Sequence, residues 1–228
     1  MLGKGEKGTV QLDYIISISK PILEGAQITV LLFIIAIVTS IPLGFIVTLL
    51  VRSRFKVISI LAQTFIYLMR GTPLLLQLLF FVFGLPLLPI IGEYLVLDRF
   101  VAATLAFILN YTAYFAEIYR GGLLAIDKGQ YEAAQVLGLN RFQTMVRIIL
   151  PQMIRTVLPP VANESITLVK DTALLYAVAV PELLHYAQTA VNRDFTIIPF
   201  FLAAIIYLLM TLVLTIVFKF LEKRFSYE

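Results

Sequence analysis

Five long apolar stretches constrain this chain more than any other feature of its sequence. A helix needs about 20 mostly apolar residues to cross the hydrocarbon core of a bilayer. Stretches of that kind lie near 25–51, 57–83, 100–126, 153–180 and 195–218. Backbone groups inside a bilayer have no water to bind, so such stretches are expected to be helical. Only 14% of the residues are charged, against about 25% in soluble domains. The sequence therefore predicts an all-α integral membrane protein with five transmembrane helices.

Basic residues gather in alternate connections of a chain with five spans. With the N-terminus outside, 11 Lys and Arg residues lie on the inner side and 5 on the outer side, while Arg70 and Lys170 lie within spans. Cytoplasmic loops carry an excess of Lys and Arg. The pattern predicts an outer N-terminus and an inner C-terminus. We expect 1–20 to be an outer segment, with a short interfacial helix at 9–20, and 21–228 to be the membrane domain. The polar start lacks the apolar core of a cleavable signal peptide.

The ionisable residues argue against an integral-membrane enzyme, which is the main alternative class. The chain has one His and no Cys, so a thiolate metal site is excluded and a nucleophile–base pair would depend on scattered carboxylates. The sequence contains no GxxxxGK[ST] phosphate loop, and nothing in it resembles the carbonyl filter of a channel. We expect a chain that binds no metal or cofactor and has no nucleic-acid partner.

The connection between the third and fourth stretches predicts two short helices. Residues 132–137 are good helix formers, and Gly138 suits the end of a helix. Asn140 and Gln143 form a variant of the capping box, which would start a second helix. The connection, which we place at 127–151, is therefore expected to turn at its glycine.

Helices of this length are unstable alone in water, so they must dock on something. Pro151 is expected to interrupt the second helix. Ala133 and Ala134 leave a low surface that another backbone could approach. Two interpretations remain open, namely docking on the chain's own membrane domain or docking on a partner.

The same connection resembles the EAA motif of permease subunits of ABC importers. The matching residues are Glu132-Ala133-Ala134, Gly138, Ile148 and Leu150-Pro151. Three further segments resemble motifs of permeases for polar amino acids: RGTPLLLQL at 70–78, AYFAEIYRGGL at 113–123 and KDTALLYAVAVPELL at 170–184. The resemblance covers about 21–224.

This resemblance implies a fold like that of a type I importer, in which the connection is a coupling helix on the cytoplasmic ATPase. The residues expected at that contact are Glu132, Ala133, Ala134, Gly138, Leu139 and Arg141. The implied partners are an ABC ATPase dimer that uses ATP and Mg²⁺, an extracytoplasmic amino acid-binding protein and a second permease subunit, with a homodimer favoured over a heterodimer. The implied location is the prokaryotic cytoplasmic membrane.

Arg70 lies well inside the second predicted span, where charge is costly and faces protein or water. The Gly-Thr-Pro sequence at 71–73 disturbs the helix, because proline removes a backbone donor and glycine loosens the turn. Carbonyl groups exposed there would bind Arg70 or line a pathway. The alternative is a packed kink in which Arg70 pairs with Glu117 or Asp171.

The fourth span carries a polar face. Residues seven apart fall nearly on one line of a helix, so Glu164 and Asp171 share one stripe. The adjacent stripe contains Asn163, Thr167 and Lys170. We expect this polar face, defined by these five residues, to face a dimer axis rather than lipid.

Glu164 is the residue that we expect to bind substrate, because a carboxylate suits a cationic ligand. Family members that carry basic amino acids resemble this chain at Asn163-Glu164. The predicted substrate is a polar, basic amino acid (arginine, histidine or lysine), bound by the polar face and Arg70 and moved by alternating access. Glutamine or glutamate is the alternative substrate. Other roles for Glu164 are an ion pair with Arg155 or Arg70, or a protonated state.

Overall fold

A computed structural model describes residues 4–225, with side chains from residue 12 onward. These residues contain helices and no strand, which confirms the all-α class. Residues 1–3 and 226–228 of the two predicted domains lie outside the described part. The α-helices are α1 (Lys4–Val51), α2 (Lys56–Gly71), α3 (Leu74–Leu79), α4 (Arg99–Leu124), α5 (Lys128–Val136), α6 (Arg141–Thr144), α7 (Leu150–Asp171), α8 (Leu183–Asp194) and α9 (Ile198–Phe225).

Three of these helices are long and apolar enough to cross a membrane. They are α1 from Leu12 onward, α4 and α9, and the bent pair of α2 with the helical segment to Leu87 makes a fourth if it counts as one span. Helix α7 has 22 residues but contains Pro159, Pro160 and the polar face, so its composition falls short of the same criterion. The count of five spans therefore stays a prediction for the part of the chain that the structure describes.

The first predicted span is part of a longer helix. Helix α1 has 48 residues, so the stretch at 9–20 is helical but continuous with the span. No helix end marks the expected boundary at residue 20. Pro21 lies inside α1 between Ile18 and Ile22, and both isoleucines are buried in an apolar core. Packing of an apolar face stabilises a helix more than local propensity does.

The second predicted span, 57–83, is not one helix. Helix α2 ends at Gly71, and the backbone of Thr72 is extended with φ −116° and ψ 145°. Proline disfavours the helical conformation of the residue before it, and Pro73 occupies that place. Helix α3 then passes into a π-helical turn and a 3-10 turn, and a further 3-10 turn precedes α4. These three segments are Phe80–Gly84, Leu85–Leu87 and Gly92–Leu95.

The chain divides into two compact units. The first comprises the chain up to Ala36, Leu74–Phe107 and Leu168–Leu212. Its apolar core joins α1, α8 and α9 through buried side chains that include Ile22, Leu183 and Ala203.

The second unit comprises Ile37–Pro73, Ile108–Thr167 and the chain from Val213 onward. Here α1 and α4 approach closely at Gly44, because a Cβ added there would lie only 2.6 Å from the Phe115 Cβ and 3.0 Å from the Ala116 backbone nitrogen. The Thr48 hydroxyl donates to the Ala116 carbonyl at 2.8 Å. Small residues and hydroxyl contacts of this kind are typical of helix pairs in membranes.

Candidate functional site

The connection between α4 and α7 turns at its glycine, as the sequence predicts. Asp127 caps α5, since its carboxylate accepts from the Gly129 N–H at 2.7 Å. Gly138 has φ +74°, a left-handed conformation that glycine adopts without strain. Asn140 caps α6: its side chain accepts from the Gln143 N–H at 2.9 Å, and the Gln143 side chain accepts from the Asn140 N–H at 3.0 Å. The predicted glycine corner and capping box are confirmed.

The predicted interruption at Pro151 is wrong. Helix α6 continues through a π-helical turn, Met145–Ile149, into α7, which starts at Leu150. Pro151 is thus the second residue of α7, and the chain stays helical on both sides of it. The hydrogen-bond pattern changes at this point instead of ending, as π-helical turns within helices allow.

The surface of this connection includes residues that the sequence analysis missed. Val136, Leu137 and Phe142 are 88%, 74% and 75% exposed. Large apolar side chains in a polar connection, on both sides of a glycine, were the signal in the sequence that could have identified them. Large exposed apolar side chains on a polar connection are candidates for a contact surface.

The six residues predicted to contact an ATPase lie on this connection, but they are not equally accessible. Glu132, Ala133, Gly138 and Arg141 are exposed, and Leu139 is half-buried. Ala134 is only 2% exposed. The expectation that both alanines leave a low surface is therefore wrong for Ala134, whose methyl group packs inward.

A cavity of about 630 Å³ lies between the two short helices of the connection. Its lining includes Tyr131 and Gln135 of α5, Arg141 of α6, and the half-buried Leu139 between them. Two of the six predicted contact residues thus line a recess next to the exposed apolar side chains.

The predicted polar face runs from the exposed side of α7 to the edge of its buried side. Asn163 is exposed, and Glu164 and Thr167 are half-buried. The Thr167 hydroxyl donates to the Asn163 carbonyl within the helix at 3.0 Å. Glu164 borders the buried side of α7, because Val161, three residues before it, and Leu168, four residues after it, lie in the interior.

Lys170 and Asp171, the other two residues of the polar face, are the last two residues of α7. Lys170 is exposed and Asp171 is half-buried, and both belong to the first unit. Lys170 therefore lies on the exposed side of α7, whereas Asp171, like Glu164, is partly covered.

Arg70 belongs to a cluster of charged residues within the second unit. One of its guanidinium nitrogens lies 3.7 Å from the Glu117 carboxylate, so one of the pairings left open by the sequence is present. The same carboxylate accepts two hydrogen bonds from Arg120, one from Nε at 2.9 Å and one from Nη2. The spacing of three residues on α4 was the signal for this second pair. The Arg70 guanidinium also lies over the Tyr114 ring, 5.3 Å from its centroid.

Side chains satisfy the carbonyl groups at the end of α2. The Asn110 amide donates to the Met69 carbonyl at 3.0 Å, and the Thr72 hydroxyl donates to the Leu68 carbonyl at 2.8 Å. The structure thus shows the alternative of a kink in which Arg70 pairs with Glu117, and these two carbonyls accept from Asn110 and Thr72. Hydroxyl and amide side chains re-satisfy a helix broken by proline.

Glu182 is a buried carboxylate that the sequence analysis did not identify. It lies in the first unit, after the 3-10 turn Thr172–Val178 and before α8, and it has no exposed surface. Its oxygens accept from the His185 N–H at 2.7 Å, the Tyr207 hydroxyl at 2.9 Å and the Thr29 hydroxyl at 3.5 Å. The signal in the sequence was its place at the start of a helix, where a carboxylate accepts from backbone N–H groups. Within the described residues, no three His, Asp or Glu side chains form a group that could hold a metal.

The chain is 36% identical over 204 residues to the arginine transport system permease protein ArtQ of Bacillus subtilis (strain 168), which covers 89% of this chain and 91% of that protein. It is 34% identical over 204 residues to the glutamine transport system permease protein GlnP of Escherichia coli (strain K12), which covers 89% of this chain and 92% of that protein.

Solved structures show the same fold. A crystal structure described as an amino acid ABC transporter with histidines aligns with a TM-score of 0.84 and 31% identity, over 92% of this chain and 97% of that chain. The MetNI methionine ABC transporter aligns with a TM-score of 0.70 and 15% identity, over 90% of this chain and 94% of that chain, which supports the fold alone. A family model for the inner membrane component of binding-protein-dependent transport systems matches residues 40–227. The chain therefore belongs to the family of binding-protein-dependent transport system inner membrane components.

Proposed function

We propose that this chain is the permease subunit of an ABC importer for basic amino acids, and that Glu164 binds the cationic side chain of the substrate. Membership of the family makes it a multi-pass transport subunit and not an enzyme. The observation that carries the finer proposal is the polar face of α7. Glu164 sits half-buried at the edge of this face, between the exposed Asn163 on one side and the buried Val161 and Leu168 on the other.

The position of Glu164 limits what it can face. An ionisable group in a membrane domain is costly next to lipid, and such groups face a protein interior or a water-filled cavity. Since Glu164 borders the buried side of α7 but keeps part of its surface accessible, it is proposed to face the pathway between two permease subunits. Asn163, exposed beside it, would add a hydrogen bond to the ligand.

The charge of Glu164 favours a basic substrate over a neutral one. Relatives are named for arginine and for glutamine, so their names do not choose between the two. A carboxylate forms charge-assisted hydrogen bonds with a guanidinium or ammonium group, and these are about twice as strong as neutral ones. Glutamine would gain only the weaker kind.

The proposed mechanism is alternating access driven by partners. An importer of this family works with an ATPase and a binding protein that delivers the substrate. ATP and Mg²⁺ would be bound by the ATPase, and the connection between α4 and α7 would transmit its closure to the helices. A change of conformation needs a ligand or partner that binds the two states differently, and ATP and the loaded binding protein meet that requirement. A second, identical permease chain is proposed to complete the pathway.

Ligand binding by a Glu164→Gln variant tests this proposal. The substitution keeps the shape of the side chain and removes its charge. A hydrogen bond to a charged group is worth about 1.5–3 kcal/mol, so L-arginine should bind about tenfold to a hundredfold more weakly, and L-glutamine should be affected less. The measurement is equilibrium dialysis with the permease–ATPase complex in the absence of the binding protein.

Glu93→Gln is the matched control, because it removes an exposed carboxylate from the connection before α4. It should bind L-arginine as the wild type does. Equal L-arginine affinity in the Glu164→Gln variant and the wild type would make Glu164 a structural residue, and the basic substrate would lose its main support.

A further inference from the structure

A second polar cavity lies within the second unit, apart from α7. It has a volume of about 610 Å³, within the range of roughly 300–1,000 Å³ for small-molecule sites. Its lining comes from α1, α2 and α4, and the polar members are Gln63, Tyr67, Arg70, Glu117 and Arg120. None of the lining residues belongs to α7, so the cavity does not include the polar face.

The charges around this cavity do not balance. Arg120 donates two hydrogen bonds to the Glu117 carboxylate. The nearest guanidinium nitrogen of Arg70, by contrast, lies 3.7 Å from a Glu117 carboxylate oxygen. A charge-assisted N–H···O hydrogen bond is about 2.7–2.9 Å long. Two guanidinium groups thus share one carboxylate, and among the described residues Arg70 donates no hydrogen bond to it. The cavity keeps an excess of one positive charge, located at Arg70.

Neighbouring groups hold Arg70 in place without using its donors. The Tyr114 ring lies under the guanidinium, an arrangement that attracts the cation and orients its plane. The carbonyls of Leu68 and Met69 are occupied by Thr72 and Asn110. The Arg70 side chain remains 39% exposed. A guanidinium fixed in this way presents a fork of N–H donors, which matches a carboxylate.

The rest of the lining also offers an acceptor for the ammonium group of a zwitterion. Gln63 and Tyr67 precede Arg70 at helical spacings of seven and three residues, so all three share one side of α2. The Gln63 amide donates to the Ser59 hydroxyl at 3.0 Å, which leaves its carbonyl oxygen as an acceptor. The Glu117 carboxylate is already bound by Arg120. A ligand ammonium group would therefore find its acceptor in the Gln63 carbonyl oxygen, while the ligand carboxylate meets Arg70.

We propose that this cavity is a second amino acid site, in which Arg70 binds the α-carboxylate of the transported amino acid. The inference rests on the proposed role in amino acid import, but not on Glu164 or on a basic side chain. The site recognises the part that all amino acids share, while Glu164 recognises the side chain. Each permease chain would then hold one ligand at the polar face and one in the cavity.

Dialysis with two labelled probes separates the two sites. The permease–ATPase complex, without binding protein, is equilibrated with L-arginine and, separately, with agmatine, which is arginine without its carboxylate. The wild type should bind one more L-arginine than agmatine per permease chain. Arg70→Gln should weaken that additional L-arginine site by about tenfold to a hundredfold and leave agmatine binding unchanged. Glu164→Gln should weaken agmatine binding and preserve the additional site.

Two further variants guard against a general loss of structure. Arg70→Lys keeps the positive charge but lacks the paired N–H donors of the guanidinium group. It should weaken L-arginine binding at the additional site less than Arg70→Gln does. Arg54→Gln, which removes an exposed arginine before α2, should bind both probes like the wild type.

The inference is overturned if the wild type binds equal amounts of both probes, or if both Arg70 variants bind L-arginine as the wild type does. It is also overturned if Arg70→Gln loses co-purifying anionic phospholipid, measured by native mass spectrometry, and keeps its L-arginine sites, because Arg70 would then bind a lipid phosphate. Failure of the Glu164 proposal alone would affect agmatine and leave the additional L-arginine site intact.

Discussion

Glu182 shows how one residue can join three helices. Its oxygens accept hydrogen bonds from α8, from Tyr207 of α9 and from Thr29 of α1, and all the donors described around it are neutral. Gly25 of α1 lies so close that an added Cβ would be 2.7 Å from the Glu182 backbone. Burial raises the pKa of the Glu182 carboxyl above its ordinary value of 4.5, although the hydrogen bonds oppose the shift. The residue lies outside the predicted spans.

This raised pKa predicts a stability that falls as the pH rises. The folded protein holds the proton more tightly than the unfolded chain, so the carboxyl favours folding at low pH and loses that contribution as pH rises from 4.5 through its folded pKa. Glu182→Gln, which cannot ionise, should flatten this part of the profile. Thermal unfolding of the detergent-purified protein between pH 4.5 and 9 is the measurement.

The pKa of Asp194, at the end of α8, shifts in the opposite direction to that of Glu182. Its hydrogen bond from Arg193 lowers the pKa of the Asp194 carboxyl from 3.8 to about 2. Its contribution is therefore complete above pH 3.8 and lost only as pH falls towards 2, outside the range tested. An unchanged pH profile in Glu182→Gln would show that Glu182 does not titrate in the folded protein.

The elements of the connection between α4 and α7 follow from local sequence rules. Asp127 and Asn140 cap the two short helices, and Gly138 supplies the left-handed residue between them. Each feature depends on residues that are neighbours along the chain. The break after α2 is local for the same reason, since Pro73 acts on Thr72.

Substitution of Gly138 tests whether this connection binds the ATPase. Gly138→Val places a β-branched residue at φ +74°, where it is strained, so it should distort the turn and reduce both ATPase co-purification and transport-linked ATP hydrolysis. Gly138→Asn is the matched variant, because Asn tolerates the left-handed region, and it should keep both. An added Cβ at Gly138 meets no atom within 4 Å, so a loss confined to Val reflects the backbone. Full association and coupling in Gly138→Val would remove the connection as the ATPase contact.

The whole molecule has an orientation that its basic residues predict. The 11 Lys and Arg residues on one side and 5 on the other favour an outer N-terminus. Because the chain has no Cys, single cysteines report position without background. In intact cells an impermeant thiol reagent should label Gly5→Cys, and should label Lys128→Cys and Lys223→Cys only after permeabilisation. Labelling of Lys128→Cys from outside would reverse the predicted orientation.

The sequence by itself determined the helical class, the family and the folding of the connection at Gly138. These follow from composition, from motif residues at set spacings and from caps that act over three or four positions. The first-span boundary was not determined in this way, because the packing of Ile18 and Ile22 carries α1 through Pro21.

Only the tertiary structure decided which side chains meet. Glu182 joins Thr29 and Tyr207, which are far from it in sequence. Arg70 and Glu117 lie on different helices, and the cavity beside them depends on how α1, α2 and α4 pack. Ala134 and Ala133 look alike in the sequence, yet one is buried and the other exposed. Periodicity gives the face on which a residue lies, but which face is covered depends on long-range packing, and no local pattern encodes it.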